Sequence, residues 1–200
     1  AGGNVYGNVS YNSPDLWVYA SGSWRDYDSF RDADGDAVHN SQFADGQGKL
    51  SLGLRWNPAH VTTVQIQRLE ANEVGIPGKG LALPVGPDVT YPDTTRTLIS
   101  VSHAYRPENA LLEESALTLF YQVVERRTRI DRYPAGPLVE LRPEADHTTW
   151  GIRWQNTLRL EPHTLLLGVD AWDWAYTGTR TRFLANGAVG VDAPLPDSRQ

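Results

Sequence analysis

Asp32, Asp34 and Asp36 stand close together around Gly35, and clustered carboxylate oxygens are what a hard cation such as calcium requires. The spacing is not that of an EF-hand, which places Gly sixth and a bidentate Glu twelfth; counted from Asp32, Gly35 is fourth and Phe43 twelfth. Two readings stand, a solvated loop and a loop-bound calcium ion. Arg126, Arg127, Arg129 and Arg132, interleaved with Glu125 and Asp131, form the densest basic stretch. Guanidinium forks match carboxylate and phosphate, so these arginines suit an anionic ligand, or else neighbouring acids and lipid headgroups. The five histidines, His39, His60, His103, His147 and His163, occur singly, with neither H-x-x-x-H nor H-E-x-x-H spacing. No metallohydrolase centre is expected; His60 and His163, each just after a short turn, suit turn edges. The stretch from Gly75 to Gly80 resembles a phosphate loop only superficially, since no Ser or Thr follows Lys79. Cysteine is absent, which removes disulfides, thiol catalysis and Cys-based zinc sites together. The residues do not compose a catalytic centre, and no enzyme is expected.

The elements that carry these residues must be read against composition. With 200 residues and a formal charge of −6, the chain has no electrostatic reason to bind nucleic acid. It holds no run of ~18 apolar residues from which a transmembrane helix could be drawn. Mean hydropathy is modestly negative, but a membrane-spanning strand needs only ~9 to 11 residues, half of them facing a polar lumen. Seven Trp and nine Tyr outnumber four Phe, a bias toward rings that settle where an apolar body meets a wet edge. Methionine is absent and Ala1-Gly2-Gly3-Asn4 is no signal peptide, so the expectation is a portion of something longer.

Period two dominates. From Lys49 to Trp56, Leu50, Leu52, Leu54 and Trp56 alternate with Lys49, Ser51, Gly53 and Arg55, the pattern of an amphipathic strand. Thr149 to Thr157 and His163 to Trp172 repeat it, and weaker versions run over Asn4–Tyr11, Leu16–Arg25, Val61–Leu69, Arg96–Tyr105 and Ala116–Val124. That makes eight strands. Pro107 to Ser115 is too short to stand as a helix. Short turns at Asn12–Asp15, Asn57–His60, Arg106–Glu114 and Leu158–Pro162 alternate with long polar connections at Asp26–Gly48, Glu70–Thr95, Glu125–Thr148 and Thr177 onward. Successive long loops are foreign to a compact sandwich, whereas short turns at one end and long loops at the other are the rhythm of an outer-membrane barrel. Charge placement agrees: Lys49, Arg55, Arg96, Arg153 and Asp170 lie opposite the apolar face. Arg68 and His103 share the apolar register, near strand ends. Trp56 and Tyr105 near lower turns, and Trp24, Trp150 and Trp174 near upper loops, suggest two aromatic girdles.

The fold class expected is therefore all-β: an antiparallel transmembrane β-barrel wall of about eight strands. Trp24-Arg25-Asp26-Tyr27-Asp28-Ser29-Phe30-Arg31-Asp32-Ala33-Asp34-Gly35, then His39-Asn40-Ser41-Gln42-Phe43, resembles the early barrel of TonB-dependent outer-membrane receptors. Val74-Gly75-Ile76-Pro77-Gly78, Tyr91-Pro92 leading to Arg96, and Phe120-Tyr121-Gln122 with Arg126 extend the likeness over most of the chain. The resemblance implies a bacterial outer-membrane location and uptake of a metal chelate (a ferric siderophore), haem or cobalamin. It also implies partners in outer-membrane lipid and, through parts of the protein outside this sequence, the TonB complex. Loop aromatics that could stack on a flat ligand are Tyr27, Phe30, Tyr91 and Tyr133; some members bind calcium in loops, which the Asp32, Asp34 and Asp36 cluster would serve, and no other cofactor is implied. Such receptors carry a plug domain and a barrel of about 22 strands. No plug is visible and the C-terminal Asp197-Ser198-Arg199-Gln200 lacks the usual final aromatic, so residues 1–200 are expected to form a partial barrel domain of a larger receptor. The alternatives are a complete eight-stranded barrel, whose first and last strands would meet, and a soluble carbohydrate-binding β-sandwich.

Overall fold

In a computed structural model, residues 2–78, 87–108, 111–133, 135–193, 195 and 197–199 are described; Lys79 and Gly80 of the phosphate-loop-like stretch, and Gln200, lie outside them. Eight long strands follow one another: β1 (Gly2–Asn12), β2 (Leu16–Tyr27), β3 (Phe43–Asn57), β4 (His60–Ile76), β5 (Asp88–Tyr105), β6 (Leu112–Asp131), β7 (Leu138–Leu160) and β8 (His163–Leu184). Each pairs antiparallel with the next in a single meandering sheet. Two short strands, β9 (Val189–Asp192) and β10 (Ser198–Arg199), both lie against β8. Every segment with period-two patterning falls inside a strand.

The sheet encloses no core. Among the described residues no hydrophobic side chain is buried, and the accessible surface is 13267 Å². A compact soluble monomer of 22.2 kDa would show roughly 9,400 Å². The β-sandwich expectation is thereby corrected, because a sandwich needs a second sheet against which to bury its apolar face. The closed eight-stranded barrel is not formed either: among the described residues β1 touches only β2, while the opposite edge of β8 carries β9 and β10. The structure is an open antiparallel barrel wall.

Register converts alternation along each strand into rows across the wall. One row runs Val9, Ala20, Leu50, Ile66, Ile99, Tyr121, Trp150, Asp173, and the next on that face runs Tyr11, Val18, Leu52, Val64, Val101, Leu119, Ile152, Ala171. Many of these side chains are open to the surroundings, including Leu50, Ile66, Leu119 and Trp150. The opposite face carries Asn8, Ser21, Lys49, Gln67, Leu98, Gln122, Thr149 and Trp174 in a single row. One face is thus an apolar band that runs from β1 to β7 and meets Asp173 in β8, and the other a mixed polar surface, as a strand between hydrocarbon and water requires. Trp24 and Trp150 lie in apolar-face rows, but Trp174 does not. The expectation of a girdle position for Trp174 is corrected by its pairing with Thr149 on the polar face.

The long connections are much shorter than the sequence suggests. β4 continues to Ile76, β5 starts at Asp88, β6 runs to Asp131 and β7 starts at Leu138, so most of Glu125–Thr148 is strand. Above the band both faces meet water, and the apolar alternation that marks a strand in sequence disappears while the backbone ladder continues. Cross-strand charge pairs replace it: Arg25–Asp45 at 2.5 Å, Arg127–Asp146 at 2.6 Å and Arg129–Glu73 at 3.1 Å. Arg68, which shares the apolar register, bends upward to Glu70 at 2.5 Å and donates to Thr97, the posture of a snorkelling cation.

Candidate functional site

The connection between β2 and β3 folds into a small secondary hairpin. Val38 donates its amide to the Phe30 carbonyl, Arg31 and Ala37 form a bridge, and Gly35 takes the turn at φ 89°, where only glycine is comfortable. Asp32 organises that turn. Its Oδ1 accepts the amides of Asp34 at 3.1 Å and Asp36 at 2.9 Å, an Asx-type arrangement. Asp32, Asp34 and Asp36 do not converge: among the described residues no group of three acids or histidines is placed to hold a metal.

The hairpin is tethered across the rim. Asn40, only 8 % exposed and at φ 55°, donates through Nδ2 to the carbonyls of Ile76 at 3.1 Å and Val89 at 2.7 Å. Its Oδ1 accepts from the Thr90 hydroxyl at 3.2 Å. Asn serves here because its amide both donates and accepts, and because it tolerates the left-handed conformation. Gly75 makes the approach possible, since a Cβ there would collide with the Asn40 backbone. Beside this tether His39 meets Asp88 at 2.8 Å, and Arg132 reaches the same carboxylate at 3.2 Å. A loop from β2–β3 is therefore joined to β4, β5 and the β6–β7 connection.

The four aromatics named from sequence all lie on this upper rim, Tyr27 and Phe30 beside one groove and Tyr91 and Tyr133 outside it. Tyr27 stacks on Phe43 with centroids 5.3 Å apart, and Phe30, 55 % exposed, shares a groove with them and Ser41. Ser41 Oγ accepts the Phe30 amide, fixing the backbone from which that ring projects. Tyr91 sits under the Arg126 guanidinium at 5.7 Å. Tyr133 is on the β6–β7 connection, and burial pushes its phenol above the ordinary value. The basic stretch meets acids: Arg127 pairs with Asp146 and Glu144, Arg129 with Glu73 and Asp131, and Arg132 with Asp88. At the far edge Asp192 of β9 receives both Arg180, at 2.7 Å, and Arg182. The hydrogen bond from Arg180 holds the Asp192 carboxyl below its usual range.

The polar face carries a group that sequence reasoning missed. His147 packs against Trp174 at 5.5 Å and Tyr176 at 4.9 Å, with Trp172 at 64 % exposure two residues earlier on the same face. The signal was present: Trp172, Trp174 and Tyr176 occupy alternate positions in phase with Asp170.

No family model matches the sequence, and no curated protein sequence matches it. Among solved structures the chain is similar to the copper transporter OprC, with a TM-score of 0.79 over 98 % of this chain at 15 % identity. The chain spans 30 % of the length of that protein. At this identity the likeness establishes architecture, an antiparallel wall of the outer-membrane barrel type.

Proposed function

We propose that the chain is a section of the barrel wall of a TonB-dependent outer-membrane receptor that takes up a metal ion or metal chelate. The observation that carries this is the two-faced sheet: an apolar band, much of it exposed, on one side, a mixed polar surface with charged and hydroxyl side chains on the other, and no buried hydrophobic side chain among the described residues. Such a wall is stable only with hydrocarbon against one face and an aqueous or protein-filled lumen against the other. The similarity to a copper transporter favours a metal cargo over cobalamin or haem. The tethered Phe30 hairpin with Tyr27 and Phe43, together with Tyr91 beneath Arg126, would supply ligand contacts at the outer mouth. The reading is one of transport, not catalysis.

The test uses cells producing the full-length protein that contains this segment. The protein should fractionate with the outer membrane, and those cells should accumulate radiolabelled copper or a ferric chelate in a manner abolished by a protonophore. Accumulation of neither metal above that of cells lacking the protein would overturn the transport reading. Recovery in the soluble fraction would overturn the membrane reading itself.

A further inference from the structure

At the lower limit of the apolar band, four side chains of the outward face form a chain of hydrogen bonds. Trp56 donates its indole Nε1 proton to Thr62 Oγ1 at 2.8 Å, and indole can only donate. Thr62 Oγ1 lies 2.9 Å from His103 Nδ1, and His103 Nε2 lies 3.1 Å from His60 Nδ1. Thr62 Oγ1 has two lone pairs and one proton, so beside the Trp56 bond it can either accept from His103 Nδ1 or donate to it. In the arrangement that continues the direction set by Trp56, Thr62 gives its hydroxyl proton to His103 Nδ1. That acceptance places the proton of the neutral His103 ring on Nε2, from which it is donated to His60 Nδ1. His60, accepting at Nδ1, must in turn carry its proton on Nε2. No protein partner meets that N–H among the described residues. Tyr105 stacks on His60 with centroids 4.5 Å apart and planes at 21°, which fixes the ring. The neighbouring cation Arg106 is engaged by Glu114 at 2.6 Å.

The position of this donor decides its partner. His60, Thr62 and His103 are in phase with Val64, Ile66 and Val101, so they face outward, directly below the hydrocarbon-facing rows and beside the short turn between β3 and β4. Trp56 is 64 % exposed there. A ring N–H left unpaired at a hydrocarbon boundary is costly, and the anionic acceptor at that depth is the headgroup phosphate. We propose that the hydrogen-bond chain runs from Trp56 through Thr62 and His103 to His60, and that the His60 Nε2–H this leaves binds the phosphodiester of a phospholipid in the leaflet on the short-turn side. This rests on the membrane reading above.

The full-length protein, labelled with 15N-histidine and reconstituted in phosphatidylethanolamine and phosphatidylglycerol vesicles, tests it by solid-state NMR. The expected result is a 31P dipolar contact to one protonated imidazole nitrogen, lost in His60→Phe and kept in His163→Phe. His60→Gln, whose amide nitrogen stands near the place of Nε2, should retain bound phospholipid on detergent extraction, whereas His60→Phe should retain it about tenfold more weakly, the effect of one hydrogen bond to a charged group. No 31P contact to any histidine in the unmodified protein, or a contact that survives in His60→Phe, would overturn the proposal. Failure of the protein to insert into vesicles at all would instead refute the membrane reading.

Discussion

The lower and upper halves of the same strands are held by different interactions. Between Leu119 and Ile152, or Leu52 and Val64, neighbouring strands present matched apolar side chains outward, and stability there depends on what surrounds the sheet. Between Arg127 and Asp146, or Arg25 and Asp45, the identical backbone ladder is laced by charge pairs, and the Asn40 tether adds side chain to backbone bonds. One half is defined by its solvent and the other by its own contacts. Four perturbations should separate them.

The largest effect is expected within the band. Leu119→Arg in the full-length barrel in lipid vesicles should lower unfolding free energy by about 2 to 4 kcal/mol, the cost of a cation on the lipid face near the midplane. Ser100→Arg, on the opposite face of β5, should cost far less. Equal losses in urea titrations would break the assignment of faces. Next comes the rim tether: Asn40→Ala leaves the part-buried Ile76 and Val89 carbonyls without that donor, at about 1 to 3 kcal/mol. Hydrogen exchange should rise at the amides of Phe30 and Gly75 and stay unchanged at Val64 and Leu119; a uniform rise would mean that the two halves open together. Smaller still is Arg127→Gln, expected to cost less than about 1 kcal/mol and to lose its effect in high salt, as partly exposed pairs do.

The fourth perturbation is acid. Asp192 titrates below its ordinary value of 3.8 because Arg180 donates to it, so its contribution to the β8–β9 pairing is complete above that value and is lost as pH falls through the lowered one. Exchange protection of Val189 to Asp192 should survive at pH 4.5 and disappear under strong acid. Loss of protection already near neutrality would show that the charge cluster does not hold this hairpin.

The same contrast explains what the sequence made legible. Lys49 to Trp56 announces its strand because one face must be apolar and the other need not be. Residues 125–131 and 138–148 are equally strand, yet Arg126, Arg127, Glu144 and Asp146 carry no alternation, since water lies on both sides. Long-range partners were invisible for a different reason: nothing local in Asn40 announces Ile76 and Val89, nor in Asp88 announces His39. The rim position of Tyr27, Phe30, Tyr91 and Tyr133 is legible because Tyr and Phe in polar stretches stand out. The cluster of His147, Trp174 and Tyr176 is hidden because a Trp close to a loop resembles a girdle residue, and only its parity along β8 assigns it to the polar face.

The short turns do not line up with the rows. Leu16 abuts its turn, whereas Trp154, in the same row, stands well above the turn at Glu161 and Pro162. Hydrogen-bonded rows therefore climb relative to the turns, as they must where tilted strands begin to curl around an axis. Depth becomes a diagonal coordinate that combines position along a strand with the strand's place in the series. Asp173 shares a row with Leu50 and Ile66, yet it belongs to a higher contour, where Trp150 can donate to it at 3.1 Å. Inserting two residues into β7 alone would keep every side chain on its face while sliding β8 along that ramp, carrying Asp173 toward the hydrocarbon.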